Sequence, residues 1–127
     1  MSEPNVIAKR IGLLLVDDSD LMRTAVLRLL KTEPRIDVLG EARNFEELLK
    51  MATELKPRVI VMDLHMPGEK GLEPGWVADQ LRGSSVLVIS IWVDEEAKAL
   101  AKSYGAIKHL DKNELGAELI PAILNLS

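Results

Sequence analysis

Asp63 closes the apolar run Val59-Ile60-Val61-Met62, and three other polar signals follow comparable runs. Asp17-Asp18 follows Leu13-Leu14-Leu15-Val16, Ser90 follows Val86-Leu87-Val88-Ile89, and Lys112 follows Leu110-Asp111. A carboxylate cluster, a hydroxyl and an ammonium are the groups that divalent-metal and phosphoryl chemistry use. Hard cations take oxygen ligands, and charge developing on a phosphoryl group is met by fixed donors and positive charge. In an open parallel sheet, ligands bind outside the carboxyl ends of the strands, so residues far apart in sequence converge when each ends a strand. The chemistry therefore requires such a sheet.

Taken singly, each residue has an ordinary explanation. Asp17 and Asp18 precede Ser19, and acidic residues before a helix are favoured by its N-terminal dipole. Ser90 alone reads as a turn or cap residue, and Lys112 as solvated surface. Asp63 is harder to dismiss, because Leu64-His65-Met66-Pro67-Gly68 after it reads as a loop and not as a helix start. Adding Asp63 to Asp17 and Asp18 makes a three-carboxylate cluster, which is costly unless a cation neutralises it. Mg²⁺ suits such a set, since it takes oxygen ligands and keeps waters that phosphate oxygens can replace.

The elements that would position these residues are readable from periodicity. Strand-like runs occupy Ile11 to Val16, Ile36 to Leu39, Val59 to Met62, Val86 to Ile89 and Ile107 to Leu110. Continuous Val, Ile and Leu without polar alternation predicts strands buried on both faces, so the first, third and fourth runs should be central in a parallel sheet. Between them, Phe45, Leu48, Leu49 and Ala52 repeat with helical spacing, as do Ala97, Leu100, Ala101 and Tyr104. Such stripes predict core contacts against the sheet.

Punctuation agrees with this alternation. Ser19 can cap the helix containing Leu21, Met22, Ala25, Val26 and Leu29, and Asn44 with Glu47 makes a variant of the capping box. Pro34 and Pro57 follow the first two helices, while Gly83 and Gly105 end the third and fourth. The third helix should start near Pro74, where a missing N–H is tolerated. Pro121 lies within the last helical pattern, which therefore either begins late, near Gly116, or is kinked. Five repeats of strand then helix predict an α/β domain with helices on both faces of a parallel sheet.

Composition narrows the class. The chain has 127 residues, 47% hydrophobic and 28% charged, which suits one globular domain with an autonomous core. Residues 1–10 read as a flexible N-terminal extension and residues 11–127 as the folded domain. The net charge is −4 with Lys and Arg scattered, so direct binding of nucleic acid by this chain is not expected. No apolar run approaches membrane-spanning length, so no membrane association is expected. The chain holds no cysteine, which excludes disulfides and thiolate metal sites and accords with a cytoplasmic location.

At this point the residues carry a resemblance. Leu14-Leu15-Val16-Asp17-Asp18, Val61-Met62-Asp63-Leu64-His65-Met66-Pro67-Gly68 with Gly71-Leu72-Glu73, Val88-Ile89-Ser90, and Gly105-Ala106 leading to Leu110-Asp111-Lys112 resemble a response-regulator receiver domain of bacterial two-component signalling. The likeness runs from Ile11 to Leu126 and is closest to receivers attached to helix-turn-helix output domains. It implies a flavodoxin-like (βα)5 three-layer sandwich with strand order 2-1-3-4-5. It also implies that Asp63 accepts a phosphoryl group from a phosphohistidine on a sensor histidine kinase or phosphotransfer protein.

The same resemblance implies that Asp18, Asp63 and the backbone carbonyl of His65 bind Mg²⁺ directly, with Asp17 acting largely through water. Lys112 would pair with the phosphoryl group, Ser90 would move to hydrogen-bond it, and His109 would turn inward as a switch ring, changing the surface of the fourth helix, fifth strand and fifth helix. For His109 a plain surface histidine is the competing expectation. The chain would not be an enzyme beyond Mg²⁺-dependent self-phosphorylation and slow self-dephosphorylation. Its partners would be the kinase and a downstream protein or an output domain, with phosphorylation-dependent dimerisation left open. Departures from the family pattern are Asn113 after Lys112, Ile91 after Ser90, and Lys70 where an acid is common; His65 and Trp92 stand where the family tunes phosphoryl lifetime. These departures motivate an alternative, a receiver-like binding module that works without phosphate. A phosphatase-like hydrolase would need an acid two residues after Asp63, where His65 stands.

Overall fold

The computed structural model describes residues 10–66 and 71–126. The expected extension lies outside the described residues except for Arg10, as do Pro67, Gly68 and Lys70.

The unbroken apolar runs become the middle of the sheet. β1 (Ile11–Val16), β3 (Val59–Asp63) and β4 (Ser85–Ser90) are flanked by β2 (Ile36–Ala42) and β5 (Ala106–Asp111), all parallel, in the order β2-β1-β3-β4-β5. Strands alternate with α1 (Asp20–Leu30), α2 (Phe45–Leu55), α3 (Pro74–Gln80), α4 (Glu95–Ser103) and α5 (Leu115–Leu124). Period-two alternation splits each central strand between two cores. Leu13, Leu15, Val61, Leu87 and Ile89 pack with Val26 and Leu30 of α1 and Leu119 and Ile123 of α5. Leu14, Val16, Ile60, Met62 and Val88 pack on the other face with Phe45 and Leu48 of α2, Val77 of α3 and Ala97 and Ala101 of α4. Fully burying each Leu or Ile contributes roughly 1.5–3 kcal/mol.

The caps behave as their residue types dictate, with one change. Ser19 Oγ accepts from Met22 N, and Asn44 Oδ1 accepts from Glu47 N. The Glu47 carboxylate reaches back to the N–H of Arg43 at 2.8 Å, one residue before the cap, and pairs with the Arg43 guanidinium. Leu21, counted with the α1 pattern, is 83% exposed and belongs to no core.

The last helix begins late and still runs through the proline. It starts at Leu115, after a 3-10 turn over Lys112–Glu114, and contains Pro121. An interior proline costs about 3 kcal/mol. Burial of Leu115, Leu119, Ala122 and Ile123 outweighs that loss, and Pro121 itself faces solvent.

Each outer strand carries one extra residue. The register jumps from Val38 to Gly40 in β2 and from Ala106 to Lys108 in β5, leaving Leu39 and Ile107 unpaired. The bulge at Ile107 matters for the site: with it, His109 pairs in register with Val88 and lies on the α4 side, whereas an unbulged strand would turn it to the α5 side.

Two glycines test the backbone account. Gly105 ends α4 at φ +83°, and a Cβ there would stand 3.2 Å from Ala78 Cβ, while Gly116 lies inside α5 with open space around it. Gly105→Ala should cost about 1–2 kcal/mol and Gly116→Ala should add roughly 0.5–1 kcal/mol in urea unfolding. Effects of the same sign would contradict this reading.

Candidate functional site

The carboxyl ends of β1, β3, β4 and β5 form one edge, and five of the expected residues, Asp17, Asp18, Asp63, Ser90 and Lys112, lie at it. Asp17 continues β1 by one residue, its N–H donating to the Ala42 carbonyl at 3.0 Å. Its Oδ1 accepts from Ser19 N at 2.9 Å, and its carbonyl accepts from the Arg23 guanidinium at 2.7 Å. Side chain and backbone are thus each held, with Oδ2 turned to the Lys112 ammonium, 3.1 Å away. Asp63 ends β3, and its Oδ1 lies 3.2 Å from the same ammonium. Asp17 is 1% exposed and Asp63 8%.

Carboxylate oxygens of Asp17, Asp18 and Asp63 lie within 4.8 Å of one another. Asp17 and Asp63 are buried while Asp18 is exposed, so the cluster opens to solvent on the Asp18 side. Asp17 Oδ2 is buried and has no hydrogen-bond donor of good geometry, only the ion pair with Lys112. Three carboxylates against one ammonium leave an excess of negative charge around oxygen ligands alone. That donor set fits a hard divalent cation.

The electrostatics follow from burial and proximity. Burial pushes the Asp63 carboxyl up from 3.8 to about 6, the Asp17 charge pushes the same way, Lys112 opposes both, and Asp18 adds to the rise. Burial alone would lower the Lys112 ammonium, but the combined attraction of Asp63 and Asp17 outweighs it and raises the pKa above its ordinary value. Lys112 is therefore a fixed positive charge, and Asp63 is the carboxylate most in need of a second one.

Ser90, 1% exposed, ends β4 below this edge. Its Oγ accepts from Trp92 N at 2.9 Å, which leaves the hydroxyl proton for another acceptor. His109 does not join the carboxylates. It is a β5 residue on the α4 side, half-buried, with both ring nitrogens covered beside the Trp92 backbone. Burial lowers its pKa, with the Trp92 backbone opposing in part.

His65 is exposed and, with Trp92, Asp94, Glu96, Ala97 and Leu100, lines a cleft of about 550 Å³ beside the start of α4. Ile91 and Trp92 are 58% and 56% exposed. Arg23 was not anticipated from the sequence. It holds the Asp17 carbonyl and pairs with Asp20 and with Glu41 at 3.2 Å, so it clamps the β1–α1 loop to β2. Its only advance signal was the Asp20 to Arg23 spacing of a first-turn ion pair.

Fold and acidic edge define a class together. Residues 13–124 match the family model described as the response regulator receiver domain, and the chain belongs to this family. Among its relatives, the nitrate/nitrite response regulator NarL of Escherichia coli K12 is 37% identical over 115 residues, covering 87% of this chain and 52% of that protein. The transcriptional regulatory protein LiaR of Bacillus subtilis is 33% identical over 114 residues, covering 89% and 54%. The chain thus spans about half the length of these curated relatives. The solved signal receiver domain of the response regulator NarL from Mycobacterium tuberculosis superposes with a TM-score of 0.81 at 26% identity, covering 92% of this chain and 95% of that one.

The raised Asp63 pKa makes a stability prediction with a definite sign. Between 3.8 and about 6 the folded state binds more protons than the unfolded chain, so this group's contribution is present below that window and is lost as pH rises through it. In metal-free buffer, Asp63→Asn should stabilise the fold by about 1–3 kcal/mol in neutral solution, and the gain should vanish near the ordinary carboxylate pKa. Urea unfolding at both pH values checks this, and a destabilised variant in neutral solution would refute it.

Proposed function

We propose that this chain is a phosphorylation-controlled signalling receiver in which Asp63 is the phosphoacceptor. The observation that carries the reading is the sharing of one ammonium, Lys112, by the buried carboxylates of Asp17 and Asp63. Phosphoryl transfer asks mainly for positioning and charge neutralisation, and a pre-placed cation beside a carboxylate nucleophile supplies both.

In this reading an Asp63 oxygen attacks the phosphorus of a phosphohistidine on a sensor kinase or phosphotransfer protein. The P–N bond breaks, the imidazole leaves with the bonding electron pair, and Asp63 carries an acyl phosphate. Asp18, Asp63 and the His65 carbonyl would hold Mg²⁺ directly, with Asp17 acting through water; bound there, the ion supplies positive charge for the phosphoryl oxygens. Lys112 pairs with one of those oxygens. Ser90 donates its hydroxyl proton to another.

The relay begins at Ser90. When its hydroxyl shifts toward the phosphoryl group, the Trp92 N–H loses its acceptor, and the loop over His109 is released. The His109 ring then turns inward and the α4, β5 and α5 surface rearranges, a two-state shift biased by a local charge. The names of the relatives, among them a transcriptional regulatory protein, support an output in gene control, delivered by an output domain or a separate protein.

Incubation with acetyl phosphate and Mg²⁺ should yield an acid-stable, base-labile adduct with the mass of one phosphoryl group. EDTA or Asp63→Asn should abolish it, and Lys112→Ala should slow its formation by about tenfold or more. An adduct that survives Asp63→Asn would refute Asp63 as acceptor, and partner binding indifferent to Asp63→Asn would favour the phosphate-independent module.

A further inference from the structure

One guanidinium holds the acidic loop from three sides. Arg23 lies in the first turn of α1, where its N–H donates to the Ser19 carbonyl at 2.9 Å, and its side chain folds back to the sheet edge. There Nη1 donates to the Asp17 carbonyl at 2.7 Å, Nε to the Glu41 carboxylate of β2 at 3.2 Å, and Nη2 to Asp20. The side chain is 11% exposed, so water competes little for these bonds. A planar fork of fixed donors can serve three acceptors in this way, and a single ammonium cannot. Asp17 N–H already reaches the Ala42 carbonyl, so the loop is tied to β2 at two points.

We propose that Arg23 is a positioning residue for the divalent cation of the carboxylate cluster, acting through the Asp17–Asp18 peptide to keep the Asp18 carboxylate beside Asp63. The inference rests on the Mg²⁺ part of the reading above. The Asp17 carbonyl shares one planar unit with the N–H and Cα of Asp18, so holding that oxygen fixes where the next residue starts. Asp17 has other supports, since it is buried and its carboxylate meets Ser19 N and Lys112. Asp18 is exposed, and among the described residues its carboxylate takes part in no hydrogen bond or ion pair. Its direction is therefore set by its backbone, and Arg23 holds that backbone.

Charge alone makes the opposite prediction. Arg23 pairs with both Asp20 and Glu41, so the three groups together carry one net negative charge. Removing the guanidinium leaves two negative charges near the cluster, which would draw a cation more strongly. Positioning works the other way: loss of a group that orients a metal ligand costs roughly 10–100-fold in metal affinity. The two effects differ in sign.

The test titrates Mg²⁺ into isotope-labelled wild type, Arg23→Gln and Arg23→Lys at fixed ionic strength, following the amide and side-chain carboxyl NMR shifts of Asp18 and Asp63. Urea unfolding in EDTA checks that each protein is folded. Both variants should bind Mg²⁺ about tenfold more weakly or worse. In adduct formation with acetyl phosphate, the Mg²⁺ concentration for half-maximal rate should rise by the same factor, while the rate at saturating Mg²⁺ stays within about twofold of wild type. A merely structural role would lower the folded fraction and leave the affinity of folded molecules unchanged. Unchanged or tighter binding by Arg23→Gln would overturn the proposal; should that variant unfold early, Arg23→Lys, which keeps the charge, decides alone, and wild-type affinity in it overturns the proposal. Arg23-dependent Mg²⁺ binding in a protein that forms no adduct would refute the phosphoacceptor reading and leave the positioning role standing. Adduct formation with a Mg²⁺ affinity indifferent to Arg23 would refute the positioning role alone, and a wild type that binds no Mg²⁺ would refute both.

Discussion

Two buried carboxylates share one ammonium, and the rest of the molecule is arranged around that shortage of positive charge. Asp17 and Asp63 both reach Lys112 within about 3 Å, at 3.1 and 3.2 Å, with Asp18 close by on the solvent side. Buried charges are poor sources of stability, because desolvation offsets most of the Coulomb gain. The cluster therefore contributes little to holding the fold; the two apolar layers on either side of the sheet do that. What the cluster gains from the fold is position. β1 and β3 are adjacent and set the distance between the two aspartates, while the parallel register through β4 to β5 delivers Lys112 from the far side.

The same shortage links the site to the surface. A carboxylate whose pKa is raised by burial and its neighbours is better balanced by an added cation, and a dianionic group placed on it attracts hydrogen-bond donors. In the proposed function one such donor is Ser90, whose oxygen is engaged by the Trp92 amide. In the proposed function a change at Asp63 acts on the β4–α4 loop through this hydrogen bond. In that proposal the path reaches His109, whose ring one extra residue in β5 turns toward α4.

Much of this was legible in the sequence because the governing signals are strong and local. Continuous Val, Ile and Leu runs marked β1, β3 and β4 as central, and Ser19, Asn44, Pro74, Gly83 and Gly105 fell at helix boundaries as their backbone preferences require. The residues gathered at the sheet edge were legible because each ends a strand or closely follows one. What escaped depended on tertiary placement. Arg23 reads as an ordinary helix cation until β2 brings Glu41 beside it and the loop presents the Asp17 carbonyl. The bulge at Ile107 has no sequence mark, since β-branched residues suit regular strands equally well. Pro121 suggested a break, yet four buried apolar side chains carry α5 through it.

The central claim is that Asp63 sits in excess negative charge that a divalent cation is needed to balance. The direct measurement is an NMR titration of the Asp63 side-chain carboxyl carbon, run with EDTA and with Mg²⁺. The account predicts a midpoint of about 6 without metal, displaced from 3.8 chiefly by burial, and a marked fall when the ion is added. An ordinary midpoint that Mg²⁺ does not move would contradict it.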